Sequence, residues 1–268
     1  MATNKQNHVL ITGGGTYLGL NLASALLAEG IEVSLIIREG NEKRLGFLES
    51  RVRWSIADVW DSASLRGRAR GHGTVIHTVG SMVADPSKGL TYNRLNVVSA
   101  RNAASMCVTD GVQHFMLLSA VRAPWINREY LRSKREAEQH IRRLGLTTSI
   151  IRAPISYVRG ADRPLIYQMM TVLGRIPPLN WTHIGRMAPM PLDVMVRGIA
   201  RIAKDPPEKT RLYYANHLRR LNKRDELRGY TNPTNSAPEL DDTAIPFDAL
   251  DDNTPFGWSP PQNYDKDS

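Results

Sequence analysis

The sequence predicts an α/β fold built on a doubly wound parallel sheet, and three observations carry that reading. Short apolar runs alternate with helical stretches from His8 to Arg152, the rhythm of a sheet covered on both faces. A glycine cluster, "LITGGGTYLG" over Leu10–Gly19, separates the first apolar run from the first helical stretch. After Pro154 the alternation weakens, leaving a small C-terminal lobe and then an extended acidic tail.

Taken in order, His8–Thr12 reads as a strand, because its residues are apolar and it stops at a glycine turn. Leu18–Glu29 reads as a helix closed by Gly30, since glycine adopts the left-handed conformation that ends helices. Glu32–Ile37, Val52–Ala57 and Thr74–Thr78 read as three further strands. Tyr92–Thr109 reads as a helix closed near Gly111, followed by a strand at His114–Ser119. Glu129–Leu144 is helical, with Ala137, Ile141 and Leu144 on one face, and Thr147–Arg152 is a sixth strand. Beyond it, Leu165–Leu173 and Val194–Ala203 read as helices and Thr210–Ala215 as a short strand, with Pro177, Pro178, Pro189 and Pro191 as breaks. The expected organisation is a nucleotide-binding domain over residues 1–153, a lobe over 154–218 interleaved with it, and a tail over 219–268. That tail is polar and without period, yet holds Phe247, Phe256 and Trp258. These anchors fit a segment lying along a surface, the chain's own or a partner's; an unattached terminus is the alternative.

Composition excludes several classes. No stretch approaches the roughly 20 apolar residues of a membrane span. The first ten residues lack the apolar centre of a signal peptide. The lone Cys107 excludes an internal disulfide framework and a multi-cysteine metal site, and reads as a small core residue. The seven histidines show no metal-ligand spacing. The expectation is a cytoplasmic protein in a reducing compartment, with peripheral contact to a membrane complex left open. Net charge is +9, and residues 231–268 hold eight acidic residues and one lysine, so the first 230 residues carry +16. Such a body favours anionic neighbours, whether a phosphorylated ligand, an anionic surface or an acidic protein. Nucleic acid is not expected: "RGRARGHG" is a single basic loop without interleaved aromatics.

The glycine turn is the first chemical signal. A strand, a tight turn and a helix N-terminus aim backbone amides at a diphosphate, and side chains there would block its approach. The backbone amides of Gly13, Gly15, Thr16, Tyr17, Leu18 and Gly19 are expected to make up that cradle.

"TGGGTYLG", "ADVWDSASL", "TVIHTVG", "RLNVVSARN", "HFMLLSA", "YLRSK" and "TSIIRAPISYVRG" follow one another in this order. Over about residues 7 to 215 the chain resembles the short-chain dehydrogenase/reductase superfamily in its extended and atypical branches. The resemblance implies a Rossmann-type fold and a bound dinucleotide. Of the motif TGxxGxxG, Thr12, Gly13 and Gly19 are kept, while Thr16 replaces the middle glycine and its Cβ is expected to crowd the diphosphate. The resemblance also implies that Asp58 and Val59 meet the adenine, that Val79 and Gly80 line the adenosine side, and that Pro154 borders the cofactor. The end of the second strand carries Arg38, with Lys43 and Arg44 nearby, where an acidic residue would hold an unphosphorylated ribose. A guanidinium pairs well with phosphate, so NADP(H) is the expected cofactor, with NAD(H) as the alternative.

Tyr130 and Lys134 form the YxxxK pair of this superfamily and lie four apart on one helix face. A tyrosine is a poor acid–base at neutral pH, and a nearby ammonium is expected to lower its pKa. The resemblance implies that Lys134 also holds the nicotinamide ribose. The third member is Ser119, although the usual family position falls on Ala120. Two function classes stay open: an NADP(H)-dependent oxidoreductase or epimerase/dehydratase-like enzyme acting on a carbonyl or sugar-like substrate, and a non-catalytic NAD(P)H-binding accessory subunit of a larger electron-transfer complex, similar to that of respiratory complex I. A redox-sensing regulator is a third reading resting on basicity alone.

Overall fold

The structure is a computed structural model that describes residues 7–124, 126–158, 187 and 189–228. Its first half runs β1 (His8–Thr12), α1 (Tyr17–Ala28), β2 (Glu32–Ile37), β3 (Arg53–Ile56), α2 (Ser62–Leu65), β4 (Thr74–His77) and α3 (Ser99–Asp110). There follow β5 (His114–Ala120), α4 (Arg128–Arg142), β6 (Thr147–Ala153), β7 (Ser156–Tyr157), β8 (Met190–Pro191), α5 (Leu192–Lys204), β9 (Arg211–Tyr213), α6 (Ala215–Arg220) and α7 (Arg224–Arg228).

Seven strands form one parallel sheet in the order β3-β2-β1-β4-β5-β6-β9, the Rossmann arrangement extended by one strand. Parallel strands need helical crossovers, so both faces are covered. On one face Val9, Ile11, Leu35 and Ile37 pack with Leu22 and Leu26 of α1 and Ile199 and Ile202 of α5. On the other, Leu10, Ile36, Val75 and Phe115 pack with Ala103 and Cys107 of α3 and Ala137 and Ile141 of α4. The reading of Cys107 as a core residue is matched: it is fully buried, and burial pushes its thiol pKa up.

Strand order explains where the site lies. From β1 the chain winds outward through β2 and β3, then returns to place β4 on the other side of β1. The loops after β1 and β4 therefore diverge at their carboxyl ends and leave a crevice, the place where such sheets bind ligands.

Three differences from the sequence reading have local causes. The helix expected from Tyr92 opens with a π-helical turn at Asn93–Val98, in which Asn96 is 1% exposed. A sequence pattern of period 3.6 does not reveal one widened turn. The short strand expected through Ala215 ends at Tyr213, because Tyr214 caps α6 with its amide donating to His217 Nδ1 at 3.0 Å; in its described parts the lobe packs into the main body, α5 on α1 and β9 beside β6. The chain also stays ordered past residue 219. Asn222 is buried and donates to the Val194 and Leu218 carbonyls at 3.0 and 2.8 Å. Arg201 grips Glu226 of α7 with two bonds of 2.7 and 2.9 Å and Glu29 of α1 at 2.8 Å. Those bonds hold the Glu226 carboxyl down at about 2. The expected helix at Leu165–Leu173 and the anchors Phe247, Phe256 and Trp258 lie outside the described residues.

Gly19 lets α1 sit directly on the glycine loop, because an added Cβ there would fall 2.9 Å from the Gly14 Cα and against the Gly13 carbonyl. Main chain cannot swing aside as a side chain can. Gly19→Ala is therefore expected to cost about 2 kcal/mol of stability, as overpacking does, read from the urea midpoint at unchanged m-value. A midpoint equal to that of the parent chain would show that the loop gives way freely.

Candidate functional site

The glycine loop begins as β1 ends. Gly13 has φ +76°, and a Cβ on it would lie 2.8 Å from Thr78 Oγ1 and 2.9 Å from Val79 Cγ2. A missing side chain thus lets the β1 and β4 loops touch. Thr78 seals the contact by donating to the Thr12 carbonyl at 2.5 Å. Below it, buried His77 meets Thr12 Oγ1 through Nδ1 at 2.8 Å, and burial drops its pKa to about 3, so the ring is neutral.

Thr16, where the motif has its middle glycine, closes the loop with its side chain. Its φ is −86°, so the backbone there makes no demand for glycine, and it forms the N-cap of α1. Its hydroxyl donates to the Gly13 carbonyl at 2.8 Å and accepts from the Gly19 amide at 3.1 Å. The side chain is folded back into the loop rather than standing across it. Within the loop, Gly14 N and Thr16 N bond to main-chain carbonyls and Gly19 N to Thr16. None of these bonds uses the amides of Gly15 or Leu18, which remain donors at a positive helix end. These features fit a dinucleotide diphosphate. The chain's own Gly13–Gly19 segment would hold it through main-chain N–H groups, with Tyr17 and Leu18 in the first helical turn.

The sequence-predicted adenosine residues gather at the same carboxyl ends. Arg38 is half-buried immediately after β2, and its carbonyl accepts from Asn41, the residue nearest Gly15. Lys43 is exposed and Arg44 half-buried in the Glu42–Leu48 turn that follows. After β3, Asp58 accepts from Trp60 N at 2.9 Å, and Val59 is fully buried with its carbonyl held by Asn102 at 3.1 Å. After β4 come Val79, 1% exposed, and Gly80, at φ +151°.

Gly80 marks the chemical end of the crevice. An added Cβ would lie 2.6 Å from Asn96 Oδ1 and against the Lys134 ammonium. Asn96 clamps the next residue, donating to the Ser81 carbonyl and accepting from its amide, both at 3.0 Å. "RLNVVSARN" contained this asparagine, but only the widened turn shows it aimed at the β4 loop.

α4 brings Tyr130 and Lys134 into the crevice. Asn127 caps the helix, accepting from Glu129 N at 2.7 Å and Tyr130 N at 3.3 Å. Lys134 Nζ lies 5.8 Å from the Tyr130 ring centre and donates to the Leu118 carbonyl at 3.3 Å. Both residues are buried, and with Leu18, Thr78, Leu118 and Pro154 they line one pocket. Burial lowers the Lys134 pKa to about 8, and the Glu138 charge opposes the fall. Burial also raises the Tyr130 phenol above its ordinary value. This differs from the expected lowering by Lys134: desolvation of the phenolate outweighs the Arg135 charge, which acts the other way, and the Lys134 ammonium faces the Leu118 carbonyl.

Ser119 sits at the end of β5 with its hydroxyl committed. It donates to Glu138 Oε1 at 2.6 Å and accepts from Arg135 at 3.0 Å. Glu138 also pairs with Arg135, and with Arg152 at 2.6 Å. Burial would raise the Glu138 carboxyl, but bonds from Arg152 and Ser119 and the Arg135 charge hold it below its usual range. Sequence reasoning missed this cluster, because its members come from α4 and two strands and share no spacing. Among the described residues no group of His, Cys, Asp or Glu could hold a metal, and no helix is long and apolar enough to cross a membrane.

The buried ammonium has a measurable cost. Between about pH 8 and its usual 10.5, the unfolded chain keeps a Lys134 proton that the folded chain releases. The lysine therefore weakens the fold below pH 8, and the penalty fades as pH rises toward 10.5. Lys134→Met is expected to raise Tm at pH 7 by about 5 °C, with the gain shrinking by pH 10 in a calorimetric scan. An equal gain at both pH values would show that the ammonium is not the cause.

Residues 13–161 match the model of a family described as NAD(P)H-binding. A Caulobacter vibrioides (strain NA1000 / CB15N) protein named ceramide reductase is 28% identical over 184 residues, covering 68% of this chain and 57% of that protein. The chain thus spans less than two thirds of that relative's length. The Bordetella bronchiseptica enzyme WbmH in complex with NAD+ superposes at a TM-score of 0.57 with 16% identity, over 78% of this chain and 76% of that one. A double mutant of DesIV, the dTDP-glucose 4,6-dehydratase from Streptomyces venezuelae, with NAD bound, gives 0.55 with 21% identity, over 73% and 71%. At such identities the two structures show the fold, which is the one implied by the motifs. With the family model matching more than half of its length, the chain belongs to the NAD(P)H-binding family.

Proposed function

We propose that the chain is an NADP(H)-dependent oxidoreductase that interconverts a carbonyl and an alcohol with Tyr130 as acid–base. The observation carrying this reading is the buried Tyr130–Lys134 pair in a pocket that also includes Leu18, from the first turn of the dinucleotide-facing helix. The dinucleotide supplies or takes up hydride when bound. Tyr130 hydrogen-bonds the substrate oxygen and hands it the proton during reduction. The phenol carries its proton at neutral pH, and burial, which raises its pKa, must be offset in the loaded site for the transfer to be efficient. Lys134 holds the nicotinamide ribose through its ammonium, and Gly80 and Asn96 fix the loop beside it. Arg38 pairs with the 2′-phosphate of NADP(H), Asp58 and Val59 border the adenine, Val79 and Gly80 the adenosine, and Pro154 the nicotinamide side. Reduction also agrees with the name of the Caulobacter relative.

A second reading, a non-catalytic dinucleotide-binding subunit, is favoured by one observation. Ser119 is bonded to Glu138 and Arg135, and Ala120 brings no hydroxyl. In that case Tyr130 and Lys134 serve only as cofactor contacts.

Tyr130→Phe separates the two readings. It removes the proton but keeps the ring packing, so turnover should fall 100-fold or more, within the range of about 10²–10⁴ for general acid catalysis, while NADPH affinity stays within about twofold on this reading. Undiminished turnover would eliminate Tyr130 as the acid. Arg38→Ala should weaken NADPH binding by roughly 10- to 100-fold, as the loss of a charged hydrogen bond does, and leave NADH unchanged by calorimetric titration. An equal loss for both cofactors would remove the 2′-phosphate role.

A further inference from the structure

We infer that the pocket beside Tyr130 takes an uncharged substrate bearing a hydrocarbon chain, a ketone or its secondary alcohol, rather than a carboxylate or a nucleotide sugar. This names the substrate class of the site and rests on the oxidoreductase reading above. The lining carries the argument. Among the described residues, Lys134 is the one charged side chain that borders the pocket. Its ammonium donates to the Leu118 carbonyl at 3.3 Å, so one of its N–H groups is already committed to the protein. The lining also includes Met82, Ala120, Ile126, Ala153 and Ile155, and its hydroxyls on Thr78 and Ser119 are already bonded to the Thr12 carbonyl and to Glu138. The nearby guanidinium of Arg135, which could meet an anion, is instead held by Glu138, Ser119 and the Ala120 carbonyl at 2.7 Å.

The apolar surface also continues outward. Ala120, Ala123, Ile126 and Tyr130 form a cluster of their own, and half-buried Met82, Tyr92, Leu131 and Met187 pack against it. Tyr92 turns its hydroxyl to the Met82 carbonyl at 2.9 Å, so its ring joins this cluster, 6.1 Å from the Tyr130 ring. Among the described lining residues a charged substrate group would lose its hydration and meet only the Lys134 ammonium, already turned to the Leu118 carbonyl, whereas each methylene would gain by leaving water. The Tyr130 hydroxyl makes no hydrogen bond among the described residues, and so stays available to one oxygen of an otherwise apolar molecule.

The test is binding of 2-butanone, 2-hexanone and 2-octanone to the full chain, with and without NADP+, by calorimetric titration against pyruvate and UDP-glucose. Because NADP+ cannot reduce a ketone, binding is read without turnover. Affinity should rise about fourfold per methylene, the equilibrium factor for burying one CH₂, and exceed that of both anions. Met82→Glu, at a half-buried rim position, should weaken 2-octanone at least tenfold with NADPH affinity unchanged. Ile126→Ala, which introduces no charge, should weaken it several-fold. Tighter binding of pyruvate or UDP-glucose, or affinity flat with chain length, overturns the inference. If 2-octanone binds as stated but NADPH does not reduce it, the pocket assignment stands and the oxidoreductase reading fails.

Discussion

The contact of bare main chain with its neighbours at Gly13, Gly19 and Gly80 is the constraint on which the rest of this site depends. Gly13 lets the loops after β1 and β4 meet, Gly19 seats α1 on the loop it leaves, and Gly80 admits Lys134 and Asn96 to the end of β4. At Gly19 the neighbour is main chain that cannot swing aside, while at Gly13 and Gly80 the neighbours are side chains of Thr78, Lys134 and Asn96 held by their own hydrogen bonds. Preorganisation of this kind is what a diphosphate site made of amides requires, since amides act only when already aimed.

Thr16 shows how a departure from a motif is accommodated. In a glycine motif, a residue with a Cβ reads as an obstruction. In the structure its hydroxyl closes a ring with Gly13 and Gly19, supplying the cap that the first turn of α1 otherwise lacks. The exchange stabilises the loop while consuming one amide that would otherwise face an anion. A diphosphate in this loop would meet the remaining donors, Gly15 and Leu18 among them.

The chemical end of the crevice is governed by desolvation. Tyr130 and Lys134 are both removed from water, and both are pushed toward their neutral forms. The charges that balance the region lie one layer away, where Glu138 binds Arg135, Arg152 and Ser119 and ties α4 to β5 and β6. The pocket itself is therefore apolar although the body of the chain is strongly basic. A surface charge of that size steers anions at long range, and it says little about a cavity from which charge has been withdrawn.

Alternating apolar runs, the glycine turn and the YxxxK spacing determined the sheet, the family and the position of the crevice, because each is a short-range pattern with one cheap structural solution. Short-range pattern did not reach the π-helical turn that aims Asn96, the bonding of the Ser119 hydroxyl, or the grip of Arg201 on Glu29 and Glu226 that holds the chain past residue 219. Each of these joins residues far apart in sequence, and which polar groups meet in a core is settled by packing rather than by spacing. The raised Tyr130 pKa belongs to the same class. Sequence placed an ammonium one helical turn from the phenol, and only the tertiary structure buried the phenol, so that loss of water sets the direction of its shift.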